Sequence, residues 1–99
     1  MRVISRKRIK QFTDKHPEAK PSFDAWYRTA KKADWKSLAE VKTDFPQADL
    51  VGTCTVFNVG KNKYRLITKI AYRAHKVFIR VALTHAEYDE ERWKDDCNC

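Results

Sequence analysis

The feature that most constrains the fold is a change in hydrophobic period near residue 53. Before this point apolar residues recur at helical spacing, whereas beyond it three segments alternate apolar and polar side chains. Such alternation is typical of half-buried β-strands. The three segments are 53–59, 63–73 and 76–83, separated by the turn-like sequences Gly60-Lys61-Asn62 and Ala74-His75. The sequence therefore predicts a three-stranded antiparallel meander.

Helix signals flank this meander on both sides. Ser5, Ser22 and Ser37 each precede a run with helical spacing, so we predict three helices with these serines as N-caps. The capping-box sequence Thr84-His85-Ala86-Glu87 predicts a fourth helix that runs to about Trp93. With a short strand over residues 1–5, this order predicts an α+β domain in which the helices pack on one face of one sheet. We expect a single domain over residues 1–99 with a short acidic, cysteine-bearing end at about 94–99.

The alternation also predicts which side chains share a face of the meander. If Ala74-His75 is a two-residue turn, Arg73 pairs with Lys76 and Lys69 pairs with Arg80. The basic residues then lie on one open face, and the aliphatic residues face the helices. The predicted open face bears Arg65, Lys69, Arg73, Lys76, Phe78 and Arg80. Cations interleaved with an aromatic ring suit RNA, although an ordinary solvated sheet face is the alternative.

The distribution of charge supports a polyanionic partner. The chain has a formal net charge of +8, yet residues 87–99 alone hold six acidic residues and two basic ones. Residues 1–86 therefore combine 19 Lys and Arg with seven Asp and Glu. Such a basic body attracts nucleic acid. A soluble, lysine-rich surface without a nucleic-acid partner is the alternative that charge alone leaves open.

A candidate chemical site follows the last strand. With Thr84 as N-cap, His85 is the first helical residue and Tyr88 lies one turn later on the same side. A helix N-terminus favours a phosphate group, and an imidazole can transfer a proton near neutral pH. RNA cleavage without a metal needs an acid, a base and cations that stabilise the phosphorane. The alternatives are a surface histidine and a tyrosine that anchors the helix to the core.

The cysteines and the N-terminus predict a cytoplasmic protein without cofactors. Residues 1–5 lack the apolar stretch of a signal peptide, and no later run is long enough to span a membrane. We therefore expect reduced cysteines, with Cys54 as strand filler and Cys97 and Cys99 in a frayed end. The Cys97-x-Cys99 pair lacks the neighbouring ligands that a metal site requires.

Short motifs extend along nearly the whole chain. They are Met1-Arg2-Val3-Ile4-Ser5, Ala25-Trp26-Tyr27-Arg28, Lys32-Ala33-Asp34-Trp35, Phe45-Pro46, Val56-Phe57-Asn58-Val59, Asn62-Lys63-Tyr64-Arg65-Leu66, Phe78-Ile79-Arg80 and Thr84-His85-Ala86-Glu87-Tyr88-Asp89. Together these segments resemble the HigB family of bacterial toxins, within the RelE-like messenger-RNA interferases. The last three motifs, in this order and spacing, are the most specific. The acidic end from about Arg92 departs from the family pattern.

This resemblance implies a RelE-like fold and an endoribonuclease that cleaves messenger RNA, in many members on the ribosome. It also implies a HigA-type helix-turn-helix antitoxin, through which alone the toxin would reach operator DNA. Carried over by position, the catalytic residues would be Arg65, Arg80, His85 and Tyr88. The resemblance also implies that Lys63 and Lys69 help to hold the RNA. The predicted basic face and its rim add four further RNA-binding candidates, which are Lys61, Arg73, Lys76 and Phe78.

Two other functions are compatible with the same residues. A non-catalytic RNA- or ribosome-binding protein could use the same basic face. A DNA-binding operon regulator is the other alternative, but no recognition-helix pattern with base-reading side chains is present. We therefore predict a metal-independent endoribonuclease without cofactors or membrane partners.

Overall fold

The computed structural model describes residues 1–99, and its centre is a five-stranded mixed sheet in the order β1-β5-β4-β3-β2. The strands are β1 (Arg2–Ile4), β2 (Asp49–Val51), β3 (Cys54–Val59), β4 (Tyr64–Ala71) and β5 (Lys76–Thr84). The antiparallel meander β3-β4-β5 is confirmed. β1 lies parallel to β5, and β2 adds an antiparallel edge strand that the sequence analysis did not predict.

Four α-helices accompany the sheet, and two of the four predicted N-caps are confirmed. The helices are α1 (Lys7–Lys15), α2 (Lys20–Lys32), α3 (Leu38–Asp44) and α4 (His85–Asp89). The Ser37 hydroxyl accepts a hydrogen bond from the Glu40 N–H, and Thr84 forms a complete capping box with Glu87. Ser5 and Ser22 are not caps, because Ser5 has a φ of 67° outside the helix and α2 begins before Ser22. The last α-helix is also shorter than predicted.

One face of the sheet packs against α1, α2 and α3, and we call it the helix-covered face. A core of 17 buried residues lies between these layers. The apolar positions of the helices, at i, i+3 and i+4 spacing, supply its outer half, and alternate positions of β3, β4 and β5 supply its inner half. Phe57 lies at the centre, with its ring centroid 5.3 Å from that of Trp26 and 5.2 Å from that of Phe45. The prediction that the helices pack on one face holds for α1 to α3 and is wrong for the C-terminal helix, because Tyr88 of α4 packs on the opposite face.

The predicted register between β4 and β5 is wrong by two residues. Lys76 pairs with Ala71 and Phe78 pairs with Lys69, because a 3-10 turn at Tyr72–Ala74 replaces the end of the predicted strand. His75 then takes a left-handed conformation, with a φ of 55°, that completes the turn. Arg73 therefore lies in the turn rather than in the strand.

A β-bulge changes the alternation of β5. Ile67 pairs with Val81 but Thr68 pairs with Ile79, so Arg80 is the extra residue. One added residue reverses which face the following side chains occupy. As a result, Val81 and Leu83 do not share a face with Val77 and Ile79 as predicted. Val77 and Ile79 belong to the core on the helix-covered face, whereas Val81 and Leu83 pack on the opposite face.

The C-terminal tail, residues 92–99, is folded against this opposite face rather than frayed. A 3-10 helix spans Arg92–Cys97 and buries Trp93 and Cys97. Cys97 forms a disulfide with Cys54 of β3, which corrects the expectation that both thiols are reduced. A second core of five buried residues consists of Cys54, Val56, Ile67, Trp93 and Cys97. We call this side the tail-covered face.

Candidate functional site

Arg80, the bulged residue of β5, holds a carboxylate of the C-terminal tail. Its guanidinium donates two hydrogen bonds to Asp96, at 2.6 Å from Nε to Oδ2 and 2.8 Å from Nη2 to Oδ1. The Lys69 ammonium lies 4.0 Å from Asp96 Oδ1. A planar guanidinium binds carboxylates and phosphates with the same paired geometry. Arg80 and Lys69 therefore form an oxyanion site on the tail-covered face, in which Asp96 supplies the anion.

The electrostatics of this pair follow from the same contacts. The hydrogen bonds from Arg80 hold the pKa of Asp96 below its ordinary value, and the positive charges of Lys69 and Arg8 act in the same direction. The carboxylate in turn raises the pKa of Arg80 above its ordinary value. Arg80 and Lys69 thus contact one carboxylate, and Arg8 adds positive charge without an ion pair of its own to Asp96. Such an arrangement favours any oxyanion that reaches this position.

Arg65 and Tyr88 form a second contact on the same face. The Arg65 guanidinium carbon lies 5.1 Å from the centroid of the Tyr88 ring, a cation–π distance. Arg65 is anchored by hydrogen bonds from Nη1 to the carbonyl oxygens of Asn62, at 2.9 Å, and Tyr64, at 3.1 Å. Tyr88 is half-buried, and its ring stacks on Trp93 with centroids 4.8 Å apart. The structure therefore brings together two of the four predicted catalytic residues.

His85 lies at the exposed start of α4. Its Nδ1 is 3.1 Å from Asp89 Oδ2, one helical turn away, and its side chain is 54% exposed. This contact fixes the ring and leaves Nε2 without a protein partner. No hydrogen bond or ion pair joins His85 to Arg80 or Tyr88. The imidazole therefore faces solvent with one nitrogen oriented by a carboxylate and the other open to a substrate.

The predicted phosphate seat at the N-terminus of α4 is wrong. The His85 N–H donates to the Lys63 carbonyl oxygen at 3.1 Å, and the Glu87 N–H donates to the Thr84 hydroxyl at 3.2 Å. These bonds occupy two of the first three N–H groups of a helix only five residues long. Phosphate binding at this site would have to come from side chains.

The predicted RNA-binding residues do not share one open face. Arg73 is exposed in the 3-10 turn, and Lys63 is exposed beside the β3–β4 turn. Lys61 borders a cleft with Trp26 on the helical side, and Lys76 borders a cleft with Tyr27 near β1. Phe78 is half-buried and is the cross-strand partner of Lys69. Arg65, Lys69, Phe78 and Arg80 nevertheless share the tail-covered face, whereas Arg73 lies in the turn. The predicted face is wrong in being open, because the C-terminal tail packs on it.

A groove between α1 and β5 contains basic residues that the sequence analysis did not select. It has a volume of about 390 Å³ and is lined by Arg8, Gln11, Phe12, Lys15, His16, Arg80, Val81, Ala82, Leu83 and Glu87. Arg8 Nη1 donates a 2.6 Å hydrogen bond to the Arg80 carbonyl oxygen. The available signal was the i, i+3, i+7 spacing of Arg8, Gln11 and Lys15, which places them on one side of α1.

Two further features concern metals and membranes. Nowhere in residues 1–99 do three or more His, Cys, Asp or Glu side chains come together in a way that could hold a metal ion. None of the helices has the length and apolar character that crossing a membrane requires.

Comparison with known proteins shows which family the chain resembles. Residues 19–91 match the family described as HigB toxin, the RelE-like toxic component of a toxin–antitoxin system. The chain is 33% identical over 92 residues to the mRNA interferase toxin HigB of Escherichia coli strain K12, a match that covers 90% of this chain and 88% of that protein. It is 29% identical over 93 residues to the mRNA interferase HigB of Escherichia coli O6:H1, covering 91% and 90% of the two chains. The C-terminal tail lies beyond the residues that match the family.

Proposed function

This chain belongs to the HigB family of RelE-like toxins, and from that membership we infer that it is an endoribonuclease that cleaves messenger RNA and so inhibits translation and growth. The observation that supports this chemistry best is the contact of Arg80 and Lys69 with one carboxylate, that of Asp96. A site that holds an oxyanion between two cations suits a phosphate that gains negative charge in the transition state.

The reaction requires one proton removed and one proton delivered. A base takes the proton of the 2′-hydroxyl, the 2′-oxygen forms a bond to phosphorus, the bond from phosphorus to the 5′-oxygen breaks, and an acid protonates that oxygen. Arg65 and Arg80 would neutralise the phosphorane, and His85 would serve as general acid or base. Asp89 would orient the imidazole through Nδ1, leaving Nε2 for proton transfer. The products are a 2′,3′-cyclic phosphate and a 5′-hydroxyl, and addition of one water to the cyclic phosphate would give a 3′-phosphate.

The nucleotide would be positioned by the residues around this centre. Tyr88 would hold a base or share the proton transfer, and Phe78 would offer a second ring for stacking. Basic side chains would hold the flanking phosphates. Because these side chains lie on more than one surface of the protein, they suit a substrate larger than one RNA strand. These basic residues are Lys61, Lys63, Lys69, Arg73 and Lys76.

The partners follow from the same inference. A toxin of this family requires an antitoxin, and we propose one of the HigA type with a helix-turn-helix domain, which alone would carry the complex to operator DNA. We also propose that the substrate is messenger RNA on the ribosome and that the protein acts in the cytoplasm. The net charge of +8 supports association with a ribonucleoprotein surface.

Expression of this chain alone in bacteria tests the proposed activity. We expect growth arrest and messages cut to fragments with 5′-hydroxyl ends, and co-expression of the adjacent antitoxin gene should restore growth. The ends should be mapped by ligation that requires a 5′-hydroxyl. Growth arrest with intact messages would contradict the nuclease and favour a protein that only binds RNA or the ribosome.

A further inference from the structure

The C-terminal tail places an anion and an aromatic ring where a nucleotide would bind. Asp96 forms the two hydrogen bonds to Arg80 described above, and its carboxylate is 40% exposed. Three residues earlier, the Trp93 indole stacks on Tyr88 with an interplanar angle of 13°. A phosphate oxyanion would make the contacts of the carboxylate, and an unstacked base would make those of the indole.

Several contacts hold the tail in this position. The disulfide joins Cys97, adjacent to Asp96, to Cys54 in β3, and both sulfur-bearing residues are fully buried. Trp93 is also buried, and its Nε1 donates a 2.8 Å hydrogen bond to the Tyr88 carbonyl oxygen. Without the disulfide, Trp93, the Asp96 ion pair and a 2.8 Å hydrogen bond from the Thr53 N–H to the Cys97 carbonyl oxygen would oppose the conformational entropy gained when a chain end is released.

We propose that the C-terminal tail is a disulfide-held intramolecular competitor of RNA, with Asp96 in the position of a phosphate and Trp93 in the position of a base. The inference rests on the proposed function, since it requires that Arg80 and Tyr88 contact RNA. A competitor tethered in this way acts at a high effective concentration, so a modest ion pair can lower RNA affinity appreciably. Reduction of the Cys54–Cys97 bond lowers that effective concentration and exposes the site.

The switching step is a thiol–disulfide exchange with a dithiol. Because both cysteines are buried, the tail must first open locally to admit the dithiol. One thiolate of the dithiol then attacks one sulfur of the Cys54–Cys97 bond and forms a mixed disulfide, and its second thiolate displaces the remaining protein sulfur. The protein gains two electrons and two protons as two thiols, and the dithiol becomes a disulfide. Disulfides in the cytoplasm are mostly transient and redox-sensing, which agrees with a regulatory rather than a permanent bond.

The test measures binding of a fluorescent RNA oligonucleotide whose 2′-hydroxyl groups are all methylated, so that it cannot be cleaved. Fluorescence anisotropy at fixed salt gives the Kd of the oxidised full-length protein and of the protein reduced with dithiothreitol. We expect reduction to tighten binding about tenfold, because both the stacking and the ion pair of the tail are lost. Cys99→Ser should respond in the same way, since the exposed Cys99 is outside the disulfide.

Asp96→Asn tests the competitor without touching the disulfide. In the oxidised protein this change should tighten RNA binding about fivefold, the value of one well-formed surface ion pair. Asp95→Asn is the matched control, because Asp95 is exposed, carries the same charge and forms no ion pair. It should change the Kd less than twofold. Equal effects of the two substitutions would show that the Kd depends only on net charge, and would overturn the proposal.

Cleavage assays then separate this inference from the nuclease function. If the protein never cuts RNA but binds the methylated oligonucleotide more tightly after reduction, the competitor proposal stands and the proposed nuclease function is wrong. If the protein cuts unmodified RNA equally fast when oxidised and when reduced, the nuclease function stands and the competitor proposal is wrong. An unchanged Kd on reduction, with circular dichroism showing the same fold, overturns the competitor as well.

Discussion

The two faces of the sheet are stabilised in different ways. The helix-covered face lies under three helices and contributes to a core of 17 buried residues, whereas the tail-covered face has a core of five closed by one disulfide. Most of the residues proposed for chemistry lie on the tail-covered side or at its edge. The large core thus positions a site over which only the short C-terminal tail packs. Local opening of so short a segment requires little free energy.

The largest expected effect tests whether the helix-covered face stabilises the whole fold. Phe57 is fully buried among the rings of Trp26, Trp35 and Phe45. Phe57→Ala should lower the free energy of unfolding by about 3–5 kcal/mol, since it removes an aromatic side chain and leaves a cavity. Urea denaturation measures this change. The control Leu50→Ala, at a position 55% exposed in the same sheet, should cost no more than about 0.5 kcal/mol. Similar losses at both positions would contradict the comparison.

The next effect tests whether the chemistry belongs to the opposite side. His85→Gln should fold normally and bind RNA, because His85 is exposed and outside both cores. Its cleavage rate should fall about a hundredfold, the usual contribution of a positioned acid or base. The matched control is His75→Gln, in which another exposed histidine paired with a carboxylate, Asp34, is replaced. Full activity in His85→Gln would move the proton transfer to Tyr88 or a lysine.

A smaller effect is expected when the cover of the tail-covered face is weakened. Trp93→Ala should lower the free energy of unfolding by about 1–2 kcal/mol, less than Phe57→Ala, because the segment before the disulfide can loosen while the larger core stays intact. Hydrogen exchange should accelerate at residues 92–97 and remain slow in β4. Accelerated exchange throughout the sheet would show that the two sides unfold as one unit.

The smallest effect concerns pH. Because Arg80 lowers the pKa of Asp96, the ion pair stabilises the docked tail fully above the ordinary carboxylate value of 3.8. This contribution is lost as pH falls through the lower pKa that Asp96 has in the folded protein. The NMR signal of the Trp93 indole N–H, which donates to Tyr88, should therefore shift at acidic pH. An identical titration in Asp96→Asn would assign the shift to another group.

Much of the helix-covered side could be predicted from the sequence, because its signals are local. Helical spacing predicted α1 to α3, and alternation predicted β3 to β5. The cap Ser37 was identified from the helical run that it precedes, and the cap Thr84 from its capping-box motif. The resemblance to HigB toxins, carried by short motifs at fixed spacing, is confirmed by the family match over residues 19–91. Among the candidate site residues, the proximity of Arg65 to Tyr88 agrees with their assignment to one site.

The sequence by itself therefore determined the fold class, the order of the meander and the family, because each depends on residues close together in the chain. Only the tertiary structure decided the bulge at Arg80, the pairing of Cys54 with Cys97 and the docking of Asp96 on Arg80. The disulfide joins residues 43 positions apart, and no local spacing encodes such a contact. The bulge depends on how two strands fit once both are packed on the core. Register, cover and site geometry are consequences of long-range packing, which pattern and propensity do not specify.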